Sequence, residues 1–346
     1  GPYSIRAWET ADGRELAALD SGVTIWKSVL CNADSSRLAA MGSGNDLFLL
    51  DPASGLLAAP PLRHFYNPTS MVLSADATRL ASFAYDGRAL VWDFATGRKV
   101  VEAVWLDAQD GAALSLSRDG SSLLVFPKTL RHGTPAIAVW RGSATRPPLI
   151  GQVPGARDFY ATRLSPDGTL GCLGLGPQPR TQVYEIATGR VLLDQPTHGD
   201  VYAHLFSPDQ TRYYALTANG WLHGWSLQDG AELWPPAQQP GKIRPAAISP
   251  DGSHIVAGHN DGHLRIYDTA TGRQVRALEH PGEIKVVRFA PDGSGRFFSG
   301  STDRLAHVWD VASGKKLATL EGHRFTIIAG GWSPDSRLIA TASYDQ

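Results

Sequence analysis

A large apolar or aromatic residue standing just before a turn returns along this chain at nearly constant distance. The positions are Trp8, Leu50, Trp92, Trp140, Tyr184, Trp225, Tyr267 and Trp309, at spacings of 42, 42, 48, 44, 41, 42 and 42 residues. A turn aspartate keeps the same time at Asp34, Asp76, Asp119, Asp167, Asp209, Asp251, Asp292 and Asp335. Two independent markers agree on eight units, and a period of this length confines the chain to repeat architectures built from one supersecondary element per unit. The unit is clearest over residues 279–321, where IKVVRF, RFFSGS, LAHVWD and KKLATL are separated by Pro291-Asp292-Gly293, Thr302-Asp303-Arg304 and Ala312-Ser313-Gly314. Four short runs joined by tight turns make one twisted antiparallel sheet.

The best copies of the third strand and its turn are VWDFATGR from Val91, VYEIATGR from Val183, IYDTATGR from Ile266 and VWDVASGK from Val308. With SPDG at residues 165 and 249, they resemble the WD-repeat family of β-propellers in its bacterial, eight-bladed form. The resemblance runs over the whole chain. It is closest in the last two units and weakest where the dipeptide becomes Leu50-Asp51 and Trp140-Arg141. It implies an all-β fold: an eight-bladed propeller of four-stranded antiparallel blades around a central channel, each blade depending on its neighbours for burial. The chain begins within a third strand (SIRAW) and stops after a second (LIATASYDQ). Pairing of the N- and C-terminal strands is therefore expected to complete one blade and hide two sheet edges. Residues 1–346 are read as this single domain, part of a longer protein, with Gly1-Pro2 as the remnant of a cleaved purification tag.

Composition narrows the partners. Gly 36 and Pro 23 suit a turn-dense chain, and a net charge of −1 with a pI near 6.9 argues against a nucleic-acid or anionic-membrane binder. No apolar run approaches the ~20 residues of a membrane span. Cys31 and Cys172 fall three repeats apart, beyond disulfide reach, and read as buried small hydrophobes of a reducing compartment. A cytoplasmic, monomeric propeller is expected.

The family resemblance implies a buried network in each blade: a histidine before the first strand, a hydroxyl residue, the turn aspartate and the anchor tryptophan. Matched by position, the sets are His323, Ser343, Asp345 and Trp8 across the chain ends, then His280, Ser301, Asp303 and Trp309. A looser set is His198, Thr217, Asn219 and Trp225, while His64, Asp86 and Trp92 lack the hydroxyl because Ala84 takes its place. A His–Ser–Asp grouping also invites a hydrolase reading. A nucleophilic serine, however, needs exposure and oxyanion donors beside it, whereas here the indole N–H is expected to use the hydroxyl and the set recurs from blade to blade. The structural reading is preferred. GCLGLG (171–176) lies inside a strand and reads as packing, and metal ligation by His254, His259 and His263 is disfavoured. No catalytic residue, cofactor or metal is assigned, and no phosphate-loop, zinc-protease or nucleophile-elbow motif occurs.

A partner would then meet the loops of the narrow face. The residues placed there are Lys27, Tyr85, Tyr160, Tyr202, Arg244, Lys285 and Tyr344. The FPKTLRHGTPA insertion between second and third strands adds Lys128, Arg131 and His132. Tyrosine and arginine offer large contact areas with few rotors. The leading reading is a non-catalytic module binding a protein or peptide partner on this face, tethered in a bacterial signalling or defence protein. One alternative is a quinoprotein-like redox enzyme, since WSLQDGAELW (225–234) resembles the tryptophan-docking phrase of such propellers. The other is a structural piece of a longer array.

Overall fold

The computed structural model describes residues 4–9, 14–20, 26–31, 37–42, 44–52, 54, 56–74, 76–104, 112–117, 120–127, 136–141, 149–152, 158–176, 179–185, 188, 190–333 and 335–344. For some strand residues, Lys27, Cys31 and Tyr160 among them, the backbone alone is described. All of this is strand and turn, arranged as eight four-stranded antiparallel sheets. Seven are meanders of consecutive strands, here blades 1 to 7, at 26–63, 68–104, 112–152, 158–196, 201–238, 243–279 and 284–320. In each, the strands are called a to d in chain order.

Blade 8 is built from both ends of the chain. Its strands a and b are Ile327–Trp332 and Leu338–Ser343, and its strands c and d are Ser4–Glu9 and Glu15–Asp20. The seam pairs Ile5 with Ala342 and Trp8 with Ile339. Each strand a packs beside strand a of the blades on either side, all the way round, so the ring is closed as the repeat count requires.

The a–b turns follow from their sequence. In five of them a serine hydroxyl donates to the carboxylate two residues on, as in Ser165–Asp167 at 2.7 Å and Ser249–Asp251 at 2.5 Å. The same carboxylate accepts the backbone N–H two residues further, from Thr169 at 2.9 Å and Ser253 at 3.0 Å. This Asx turn folds the hairpin locally, which is why the aspartate keeps such regular time.

The core is not inside any blade but between blades. Val256 and Ile266 of blade 6 pack with Ile284, Val287, Phe297 and Trp309 of blade 7. Ile5, Ala340 and Ala342 of blade 8 pack with Val29, Leu38 and Ala40 of blade 1. In an antiparallel meander the d–a connections and b–c turns emerge at one end of the strands, and the a–b and c–d turns at the other. The first set defines the upper face.

Candidate functional site

The polar groups that resemble catalytic sets come first, because their geometry decides where function can lie. In blade 2 the Ser82 hydroxyl accepts the Trp92 indole N–H at 2.8 Å and meets His64 Nε2 at 2.7 Å, all buried. In blade 7 the Trp309 indole donates to Ser299 at 2.8 Å. At the chain seam Trp8 donates to Thr341 at 3.0 Å, and His323 Nε2 lies 2.8 Å from the same hydroxyl.

These bonds correct the expected sets. The hydroxyl sits two residues earlier in strand b than assigned: Thr341 replaces Ser343, Ser299 replaces Ser301, and blade 2 has Ser82 where Ala84 implied none. Ser343 instead donates to the Phe325 carbonyl at 2.9 Å, and Ser301 accepts the Asp303 amide at 3.3 Å. A two-residue slip keeps the side chain on the same face of the strand but moves it one pair along, about 7 Å. Face was readable from alternation; depth was not. Asp345 lies outside the described residues.

Other anchors have no hydroxyl at this position. Leu50, with no polar atom, has Ala40 in the hydroxyl position, and Tyr267, which carries its own hydroxyl, has Ala257. In blade 5 Ala215 stands there beneath a tryptophan, and the Trp225 N–H has no partner among the described residues. Thr217 of the looser set bonds Asn219 instead, at 2.7 Å.

His280 Nδ1 donates to Asp303 Oδ2 at 2.7 Å, with the His307 ring centred 4.5 Å from that of His280. Burial raises the Asp303 pKa, but hydrogen bonds from His280 and the Leu305 amide, with the electrostatic pull of His280 and His307, together outweigh it and hold the carboxyl below its usual range. Burial, with the neighbouring His280, pushes His307 down to about 4. The ligand atoms of His280, Asp303 and His307 lie within 4.8 Å of one another. Asp303 is already engaged by His280, which leaves two imidazole nitrogens and no closed ligand sphere. Cys172 is buried, and its enclosure pushes the thiol up to about 12, so it is a packing group. No exposed nucleophile is paired with a base in any of these sets.

The upper face is different. Tyr85 and Tyr344 stand in b–c turns at 50% and 49% exposure, and Tyr202 at the top of strand a of blade 5 is 46% exposed. Three aromatics that the sequence reading missed join them: Phe65, Tyr66 and Phe325, at 73%, 62% and 56%. All three follow a d–a histidine, His64 or His323, and that position was their signal. Phe65 also stacks under the Arg88 guanidinium, 4.6 Å from its ring centre. Tyr202, Arg244 and Lys285 line one cavity of about 430 Å³ at the upper mouth of the channel. Tyr85 and Tyr344 stand outside that lining. Glu283 pairs with Arg244 at 3.6 Å and with Lys285 at 2.7 Å. The side chains of Lys27 and Tyr160, and Lys128, Arg131 and His132 altogether, lie outside the described residues.

The second tryptophan of WSLQDGAELW has a packing role. Trp234 stacks on Tyr214 with ring centres 6.5 Å apart and donates to the Thr269 carbonyl of blade 6 at 3.2 Å. Its indole lies against Gly272, so the phrase docks blade 5 onto blade 6.

A family model described as WD domain, G-beta repeat matches residues 272–310 and 314–346, and one described as outer membrane protein assembly factor BamB matches residues 138–288. Actin-interacting protein 1-2 of Arabidopsis thaliana is 41% identical over 105 residues, 29% of this chain and 17% of that protein. WD repeat and SOCS box-containing protein 1 of Homo sapiens is 33% identical over 89 residues, 25% of this chain and 21% of that protein. Each match thus spans about a fifth of the relative's length. The crystal structure of the computationally designed Ika8 protein superposes with a TM-score of 0.77 at 19% identity, covering 95% of this chain and 99% of that one. The chain is an all-β, eight-bladed propeller that closes its ring with its own two ends, and its residues 272–310 and 314–346 are WD repeats.

Proposed function

We propose that this chain is a non-catalytic interaction module that receives a protein or peptide partner on its upper face. One observation carries the reading: six large aromatic side chains stand exposed on that face, while the histidine, serine and aspartate groups that resemble an active site point into the blades. Exposed aromatic residues on a rigid frame are the usual anchors of protein interfaces. The relatives support the same direction, since one is by its name an actin-interacting protein and the family matched by residues 138–288 is described as an assembly factor.

Photo-crosslinking groups placed at Tyr85 and Tyr344, and at Arg273 and Lys315 among the c–d turns of the opposite face, test the assignment in living cells. Adducts are expected from the first pair. Equal or heavier labelling from Arg273 and Lys315 would remove the upper face as the contact surface.

A further inference from the structure

Among the described residues, the channel holds more positive charge than the side chains lining it balance. Arg163 and Arg288 lie in strands a of blades 4 and 7, Asp158–Leu164 and Ile284–Phe289. Each stands four residues before its turn aspartate, Asp167 or Asp292, so the two occupy the same depth. At that depth the other inner strands carry Leu30, Val72, Ser115, Leu205, Ala247 and Gly331, none of them acidic. Both arginines line the same cavity of about 430 Å³ as Arg244 and Lys285. No carboxylate lines it among the described residues.

Arg244 and Lys285 share Glu283, but among the described residues neither channel arginine has an acidic partner. Arg163 donates to the His204 carbonyl at 3.3 Å and Arg288 to the Val287 carbonyl at 2.8 Å. Both side chains are solvent-accessible, though the solvent they meet is enclosed by the ring. That enclosure, with repulsion from Arg163, brings the Arg288 pKa down to about 10, so Arg288 stays charged at neutral pH. Below them, where Arg163 also reaches, the channel turns apolar, walled by Leu114, Leu116, Leu205, Phe206 and Ile248.

Two like charges held at one depth of a narrow channel raise the energy of the empty protein, and an anion between them removes that cost. The guanidinium fork matches a carboxylate in two parallel hydrogen bonds. We propose that the channel mouth is a carboxylate receptor: the partner inserts an acidic stretch whose carboxylate lies between Arg163 and Arg288, with Arg244 and Lys285 at the rim and Tyr202 against its backbone. This rests on the reading that a polypeptide docks on the upper face, and it adds the chemistry of the inserted segment. A cavity of this size admits a side chain or two rather than a folded domain.

Fluorescein-labelled hexaglutamate, with hexaglutamine and hexalysine of the same design as controls, measures the site by anisotropy at low and moderate salt. Hexaglutamate is expected to bind, and to weaken as salt rises. Arg163→Gln/Arg288→Gln is expected to reduce its affinity by about tenfold or more. This variant removes a repulsion, so its melting temperature should equal or exceed the wild type's, and hexaglutamate should raise the melting temperature of the wild type alone. If the double variant fails to fold, Arg288→Gln alone carries the comparison. Amidated and free C-termini on the probe distinguish a side-chain carboxylate from a chain terminus.

Hexaglutamate binding no tighter than hexaglutamine overturns the proposal. So does binding that survives Arg163→Gln/Arg288→Gln but is lost in Arg244→Gln/Lys285→Gln, because the charge would then act at the rim only. Either result leaves the crosslinking test of the upper face standing on its own.

Discussion

A buried indole N–H needs an acceptor, and the chain supplies one where the anchor is tryptophan and the neighbouring strand can reach. Ser82, like Thr341, touches both a histidine and the anchor indole, His64 and Trp92. Ser82→Ala strands both partners inside the protein and is expected to cost about 1–3 kcal/mol, read as a lower denaturant midpoint at unchanged slope. Ser301→Ala loses a single 3.3 Å contact from a backbone amide and should cost less; a reversed order would mean the indole bond is not what stabilises the blade. The buried histidines make a second residue-scale prediction. Burial pushes His223, His259 and His307 down to about 4, while the unfolded chain protonates them near pH 6.5. Over that window the unfolded state binds more protons, so stability is full above about pH 6.5 and falls as pH drops toward 4, by roughly 3 kcal/mol for each histidine. Burial raises Asp261, but Arg265, 2.7 Å away, together with the His263 amide and the neighbouring His259, outweighs it and holds the carboxyl at about 2, which continues the loss at lower pH. Urea midpoints at pH 7 and pH 5 measure the slope, and His223→Gln with His259→Gln should flatten it.

At the scale of the single blade, turns decide whether four strands form one sheet. The b–c turn of blade 6 places Gly262 at a φ of 83°, and an added Cβ would meet the His280 carbonyl at 2.5 Å. Gly262→Ala therefore combines left-handed strain of about 1–2 kcal/mol with a backbone clash that no rotamer relieves. A melting temperature several degrees lower is expected; one within a degree of wild type would show that the turn can take another form. Gly293, in the a–b turn of blade 7, has a similar φ of 73° but nothing within 4 Å of its would-be Cβ, so Gly293→Ala should show the strain without the clash. The difference between the two variants isolates the cost of the close approach between the b–c turn and the d–a connection of blade 6.

At the scale of the whole molecule, stability is shared around the ring because each apolar cluster belongs to two blades. The seam is the exception in origin but not in kind: Trp8 bonds Thr341 across nearly the full chain length and packs with Phe298, Val308 and Ile339. Deleting residues 1–20 removes strands c and d of blade 8 and uncovers the edge of Leu338–Ser343 together with its apolar face. The truncated chain is expected to lose its cooperative melt and to associate through that edge. A soluble, monomeric product with a sharp transition would show that the ring does not depend on its seam. A peptide of residues 1–20, added to the truncated protein, should restore the transition.

The period of the anchors and the turn aspartates determined the number of blades, the order of strands and the joining of the ends, because each is a local consequence of alternation and turn chemistry. Alternation likewise settled which face of strand b carries a polar residue, yet Ser299 and Ser301 are equivalent to that rule. Only the packing of Trp309 against one of them chose Ser299. The upper face was legible from loop position for Tyr85, Tyr202 and Tyr344, whereas Phe65, Tyr66 and Phe325 were passed over because their exposure depends on how the d–a connections leave the ring. Arg163 and Arg288 lie 125 residues apart in sequence, each unremarkable in its own strand. They became one electrostatic site only when ring closure brought two inner strands to the same depth of a shared channel, since charge interaction depends on distance through space and not along the chain.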